Sequence, residues 1–338
     1  MQGAAVHLVT RLNVGGIARF LEAGRDAVDV LVRGRVEGAE TEAAWQGRQV
    51  RVPTLQRSLH PLRDTRALAA VVQALRKLRP RVLHTHASKA GALGRAAARL
   101  LHIPCVHTFH GHVLDGYFPR PLGRAFLAAE RALARWSHVT ATGPATATRL
   151  QELLGVPVEV VAPGVELPAA APDARERWRA LWGHPQLVAL AVGRSAAVKY
   201  HARFVEAARG AGYLPVVAGA VRVPGGVALG HVEAMQDIYA ACDVSVSASR
   251  TEGTPFALLE AAWCGRPVVA TPVGDVPWVV GDGGIVSEDL ASGLSRLRDP
   301  GLRTELGGRA AEAVRERFPA HAVAPRLREL YADVGRRF

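Results

Sequence analysis

Apolar residues recur along the chain in two alternating rhythms. Near-continuous runs of four to six apolar residues suit strands buried on both faces of a parallel sheet. Longer stretches with apolar positions three and four apart suit amphipathic helices. Residues 6–10 (VHLVT) read as a first strand, followed by a loop with Gly15-Gly16 and a short helix at 18–23. Further strands are expected at 28–32, 82–86, 106–110 and 139–142, with helices at 68–78, 90–101 and 124–136. A Pro/Ala-rich stretch at 163–172 reads as a linker. The pattern then restarts, with strands at 187–192, 214–218 and 244–247, helices at 202–210 and 235–242, and a terminal helix at 322–334. Repeated strand–helix units predict parallel, doubly wound sheets with ligands at the C-terminal strand ends. The expected fold is α/β, with two Rossmann-like domains facing a cleft. The domains are 1–165 and 166–321, and the helix 322–338 packs back on the first.

The stretch 249–271, SRTEGTPFALLEAAWCGRPVVAT, is the most informative. Thr254 reads as an N-cap and Pro255 as the first helical residue, where its missing N–H costs nothing. Gly265 and Pro267 stop the helix, and 268–271 is a buried parallel strand. The amides of Phe256, Ala257 and Leu258 are then free at a helix N-terminus, which favours anions and phosphate above all. Glu252 precedes the helix and Glu260 lies more than one turn into it. A ligand with its phosphate at the amides would meet a carboxylate on each side, and carboxylates accept hydrogen bonds from sugar hydroxyls. Two solvated glutamates would satisfy the same pattern.

Composition narrows the classes. A chain of 338 residues exceeds one ordinary core. No apolar run has the length of a membrane span, and the N-terminus reads as a strand rather than a leader. Cys105, Cys242 and Cys264 are dispersed and in no CxxC spacing, as in a reducing cytoplasm. The net charge of +12 is uneven: residues 1–165 hold 22 Arg+Lys against 11 Asp+Glu, and the rest is nearly balanced. Such a half suits an anionic membrane surface or an acidic partner. With 39 Arg and 3 Lys, GC-rich coding explains part of the excess. Nucleic acid is disfavoured, because no recognition motif or interleaved aromatic accompanies the charge.

Nine of 13 histidines precede residue 140, including His84, His86, His107, His110 and His112. Three of them could bind a metal, but a strand-end loop does not obviously converge them and no acid completes the set. One active-site histidine is the preferred reading. His110, at the start of the loop after its strand, is that residue, and His107 is packed. Arg194 and Lys199 follow a strand, where cations suit a diphosphate leaving group. Gly15-Gly16 permits close backbone approach to a ligand, or is an ordinary turn.

These features share one order, and in that order the sequence resembles the GT-B glycosyltransferases of the retaining group called family 4. The resemblance rests on E-x7-E (Glu252 to Glu260), on Gly193-Arg194 with Lys199, on Gly15-Gly16-Ile-Ala-Arg19, on HTHASKAG (84–91) and HTFHGH (107–112), and on VAPGVE (161–166). It covers nearly the whole chain. It implies that Glu260 holds the nucleotide ribose and Glu252 the donor sugar. It gives the diphosphate to Arg194, Lys199 and the amides of Phe256, Ala257 and Leu258, with Gly15 and Gly16 covering it. His110 would stand near the reacting sugar and acceptor, and no metal or other cofactor is implied. One departure is Tyr200, where the family usually has glycine.

The expected activity is therefore transfer of a sugar from a nucleotide-sugar, a UDP-sugar ahead of a GDP-sugar, with retention and without metal. The favoured acceptor is lipid-linked or another glycoconjugate of the cell envelope. The chain would be cytoplasmic and peripheral on the inner membrane face, with 114–121 (LDGYFPRP) as a docking loop. The alternatives are a nucleotide-sugar epimerase on the same scaffold and a non-catalytic sugar-nucleotide or polyanion-binding protein.

Overall fold

The structure, a computed structural model, describes residues 3–38, 40–111, 114, 120–184 and 186–337. His112 and most of the loop 114–121 lie outside the described residues. The chain divides into two compact units, Met1–Gly164 with Ala320–Phe338, and Val165–Pro319.

The first unit holds a parallel sheet of β1 (Ala5–Val9), β2 (Val30–Arg33), β3 (Gln49–Arg51), β4 (Val82–His86), β5 (Cys105–Phe109), β6 (His138–Ala141) and β7 (Val158–Val160). Their order is β3-β2-β1-β4-β5-β6-β7. β1, β4 and β5 are buried along their whole length, because helices cover both faces. The order reverses between β1 and β4, whose register sets His7 beside His84 and Val9 beside His86. Ligands of doubly wound sheets gather at the strand ends of such a reversal.

Helix Ser88–Leu101 lies close on this sheet because it carries Gly91 and Gly94 inward. A Cβ at Gly91 would collide with Cε1 of His107. Each glycine weakens the helix by about 1 kcal/mol, and the close packing offsets that loss. Inside the contact, Arg95 is fully buried and pairs with Glu130 at 2.6 Å. Helix Pro61–Leu78 begins seven residues before the sequence expectation. Its first turn shows little apolar periodicity, and Leu62 is exposed; the start signal is His60 as N-cap with Pro61 at the first position. The C-terminal helix Val323–Arg337 belongs to this unit and buries Leu327, Leu330, Tyr331 and Val334.

The second unit repeats the plan with β8 (Val188–Val192), β9 (Leu214–Ala218), β10 (Val227–Gly230), β11 (Val244–Ser247), β12 (Val268–Ala270) and β13 (Gly284–Val286). Their order is β10-β9-β8-β11-β12-β13, all parallel, with the reversal between β8 and β11. One face is filled by residues such as Phe204, Val217, Val246, Val269 and Leu294, and the other by Leu190, Val216, Ile238 and Tyr239. The three cysteines are free. Among the described residues no helix is long and apolar enough to cross a membrane.

Candidate functional site

In the second unit, the loops after β8 and β11 stand at the strand reversal and carry the expected polar set. Val192 ends β8, and the stem of Lys199 lies across Gly193, where a Cβ would meet its carbons at 3.2 Å. The Arg250 N–H donates to the Val198 carbonyl at 2.8 Å, which ties the two loops together. That tie brings Lys199 Nζ to 2.6 Å from Glu252 Oε1. Ser249 Oγ donates to the same oxygen at 2.6 Å. The Glu252 loop is backed by the turn at Gly274, which is glycine for two reasons: φ is +53°, and a Cβ would collide with the Glu252 carbonyl. Arg194 is exposed at the end of the same strand.

Tyr200 closes the first loop with φ +47° and ψ +47°. This is the left-handed region, where a side chain costs about 1 kcal/mol that glycine avoids. The family's usual glycine at this position thus has a backbone reason. Here the tyrosine ring receives the Arg250 guanidinium at 4.1 Å from its centroid, a cation–π contact worth about 0.5–1 kcal/mol at an exposed site.

Helix Phe256–Trp263 starts one residue later than expected. Pro255, not Thr254, is its N-cap, with φ −79° and ψ 93°. The Leu258 N–H donates to the Pro255 carbonyl at 3.0 Å, so of the three expected anion-binding amides this one is already engaged. Phe256 and Ala257 remain without an amide partner among the described residues. Thr254 Oγ1 instead reaches Asp275 at 3.4 Å. At the other end Gly265 is left-handed, and the Arg266 N–H returns to the Ala261 carbonyl at 2.9 Å, a Schellman stop. Glu260 is 5% exposed and lies beside Tyr239 Oη, which is 3.0 Å from its Oε2 and 3.1 Å from the Ala257 carbonyl. No sequence motif singles out Tyr239, yet its OH fixes the Glu260 carboxylate from below. Burial, with the Glu260 charge second, holds its phenol well above the usual range, so the OH stays a donor.

In the first unit, Gly15 follows β1 and caps helix Gly16–Ala23. Phe20 of that helix packs edge-on against His110, with ring centroids 5.1 Å apart. The glycine loop and His110 are therefore neighbours through a buried phenylalanine. His110 Nε2 lies 3.0 Å from His86 Nδ1, and His86 Nε2 lies 3.0 Å from His7 Nδ1. Tyr331 Oη is 2.7 Å from His7 Nε2 and 2.7 Å from His84 Nδ1. His84 Nε2 continues to Thr108 Oγ1 at 2.6 Å. His107 faces away, is buried, and bonds Thr85 Oγ1 at 2.8 Å. After His86, Ala87 sits at φ +64° and ψ 155°, a region close to glycine-only.

Burial drives these imidazoles towards the neutral form: His7 and His110 fall to about 3, and His84, His86 and His107 lie well below the ordinary value. A metal is the other use for such a cluster. Among the described residues, ring nitrogens of His7, His84 and His86 lie within 4.8 Å of one another. Both nitrogens of each ring are already hydrogen-bonded, and an ion would have to displace those bonds.

Two parallel, doubly wound units with polar sets at their strand reversals define the GT-B class of α/β architecture. Solved structures agree: sucrose-phosphate synthase from Thermosynechococcus elongatus superimposes with a TM-score of 0.84 at 18% identity, over 99% of this chain and 100% of that one. Anabaena HepE in complex with UDP-glucose gives 0.79 at 17% identity, over 97% and 99%. At these identities the likeness is one of fold alone. The family model described as Glycosyltransferase Family 4 matches residues 14–168, and that described as Glycosyl transferases group 1 matches 186–298. The D-inositol 3-phosphate glycosyltransferase of Xylanimonas cellulosilytica is 30% identical over 309 residues, 76% of this chain and 72% of that protein. The protein of the same name from Acidothermus cellulolyticus is 30% identical over 284 residues, 69% of this chain, which spans 63% of that relative's length. The chain belongs to glycosyltransferase family 4, the group 1 glycosyl transferases.

Proposed function

We propose that the chain transfers a sugar from a nucleotide-diphosphate donor to an acceptor, with retention of anomeric configuration and without a bound metal. The observation that carries this reading is the Lys199–Glu252 pair at the strand reversal of the second unit, in the loop leading to the helix that buries Glu260. Glu260 is assigned to the ribose hydroxyls and Glu252 to the donor sugar. Lys199, Arg194 and the amides of Phe256 and Ala257 are assigned to the diphosphate. Negative charge grows on the diphosphate as the glycosidic bond breaks, and fixed cations and amides stabilise that charge more in the transition state than before it. The leaving phosphate would receive the acceptor's proton on the same face, as retention requires. Family membership supports that step. A UDP-sugar is the favoured donor, a preference supported by an Escherichia coli relative, 45% identical over 65 residues, whose name gives UDP-Gal as its donor. His110 is assigned to the acceptor side.

The acceptor we favour bears phosphate and is lipid-linked. The excess of Arg+Lys in residues 1–165 suits such a group and an anionic membrane surface, at which a cytoplasmic enzyme would work. The relatives' names fit a phosphate-bearing acceptor: two act on D-inositol 3-phosphate, and an Escherichia coli galactosyltransferase, 45% identical over 65 residues, on a diphosphoundecaprenol-linked sugar.

The test is thermal stabilisation by UDP, GDP, ADP and dTDP without metal, in the wild type and in Glu260→Ala. A ligand at 100 times its Kd stabilises by about 2.7 kcal/mol. UDP should raise the melting temperature of the wild type and not of the variant. Equal responses of both proteins, or none to any nucleotide or UDP-sugar, would sink the assignment.

A further inference from the structure

The histidine network has a direction. A neutral imidazole offers one donor and one acceptor, a hydroxyl one donor, and a carbonyl only accepts. The far end of the chain is a carbonyl, since Thr140 Oγ1 donates to the His107 C=O at 3.4 Å. Thr140 therefore accepts from Thr108, 2.6 Å away, and Thr108 accepts from His84 Nε2–H. His84 Nδ1 is then bare and accepts from Tyr331. The Tyr331 oxygen accepts from His7 Nε2–H, and His7 Nδ1 from His86 Nε2–H. His86 Nδ1 accepts from His110 Nε2–H, which leaves the proton off His110 Nδ1. That atom is buried and has no partner among the described residues.

We propose that His86, His7, Tyr331 and His84 form a one-way hydrogen-bonded relay that holds His110 in the tautomer with a bare Nδ1, poised to accept a hydrogen bond from a substrate hydroxyl. The four are positioning residues; His110 is the group that touches substrate, and this part rests on the function proposed above. The opposite direction would break the bond to the His107 carbonyl and leave a buried N–H on His110 without an acceptor. His110 Nδ1 is unmet in either direction, as a bare acceptor or as a donor, so the lost bond to the His107 carbonyl sets the preference, by up to about tenfold. Burial supports the count of one proton per ring, because it keeps the imidazoles neutral. It also keeps the Tyr331 phenol protonated, with its pKa held well above the usual range. The relay links β1, β4, β5 and β6 to the C-terminal helix, and Tyr331 is its single crossing point between His7 and His84.

The experiment is a long-range 1H–15N spectrum of the full chain labelled at histidine, with His110 assigned from the signals missing in His110→Gln. The wild type should show a bare Nδ1 and a protonated Nε2 at His110. Tyr331→Phe removes only the hydroxyl, cuts the relay, and should give mixed tautomers. Thr140→Val cuts its anchored end and keeps the test alive if the first variant unfolds. The kinetic arm is a fall in kcat of about tenfold in Tyr331→Phe, with the affinity for UDP unchanged. A protonated Nδ1 in the wild type, or a His110 tautomer indifferent to both variants, overturns the relay. A tautomer that changes while kcat does not overturns the positioning role. The transferase reading is judged separately, by nucleotide binding in the second unit.

Discussion

Glu252→Gln separates two duties that the Lys199–Glu252 pair combines. The pair is 2.6 Å long, with side chains 27% and 12% exposed. A charged hydrogen bond so placed contributes about 1.5–3 kcal/mol, discounted towards 1 kcal/mol for the exposed part. Glutamine keeps an oxygen for Ser249 and Lys199, so the loop geometry should survive. What it removes is the negative charge that competes with an incoming diphosphate for Lys199. At 1.4 kcal/mol per decade, release of the lysine leaves UDP affinity equal or raises it by up to about tenfold. The donor sugar fares differently. Its hydroxyls lose a charged acceptor, which weakens a UDP-sugar by about tenfold or more relative to UDP. The Kd ratio of UDP-glucose to UDP should therefore rise by about 10–100-fold. Isothermal titration of both ligands without metal, on wild type and variant, reads this ratio directly. If both ligands weaken together while the melting temperature holds, Glu252 does not address the sugar and the division of roles is wrong.

Other outcomes follow from the same geometry. Tyr200→Gly relieves a left-handed φ of +47° and loses the Arg250 contact, so its stability should stay within about 1 kcal/mol of wild type. Tyr200→Ala keeps the strain and loses the contact, so a urea midpoint as high as that of the glycine variant would refute the strain argument. His7 is fully buried with its pKa held at about 3, so below pH 6.5 the unfolded chain binds a proton that the folded chain refuses. Each such ring should lower stability by up to about 1.4 kcal/mol per pH unit below 6.5, with His84, His86, His107 and His110 adding to His7, and none should give a slope well above 6.5; urea melts from pH 7.5 to 5 check it, and a flat profile contradicts burial of the neutral rings. Gly91→Ala drives a methyl into His107 and should lower stability by about 1–3 kcal/mol, read as a lower melting temperature.

The parts legible in the sequence are those whose signal is local. β4, β9 and β11 coincide with their expected bounds, because each is a short, mostly buried segment with valine or leucine set between two helix patterns. β3, β7, β10 and β13 have no counterpart among the expected strands. They are short, three or four residues each, and partly exposed, so no apolar run marks them. Helix Pro300–Arg317 is hidden for a related reason. Its buried face is largely Gly307, Ala310 and Ala311, small residues that carry little hydrophobic contrast. The slip at Pro255 is subtler. A proline suits either the cap or the first helical position, and only the backbone angles decide which amides are left free.

The candidate sites divide along the same line. Glu252 and Glu260 can be paired from sequence because one helix start holds both, whereas the ion pair of Glu252 spans 53 residues and depends on how two strand-end loops are tied. The histidine network is the extreme case. His84 and His86 are visible as an alternating pair, and His110 as a strand-end residue, but nothing local ties His7 to Tyr331 across 324 positions. A histidine in a buried strand and a tyrosine on a terminal helix each read as ordinary core. They become polar partners only when parallel register sets β1 beside β4 and the C-terminal helix lies over both. Buried polar groups must be satisfied, so the polar residues of neighbouring strands constrain one another more tightly than their apolar neighbours do. Asking of each buried-strand histidine where both of its nitrogens go leads to such partners before it leads to a metal.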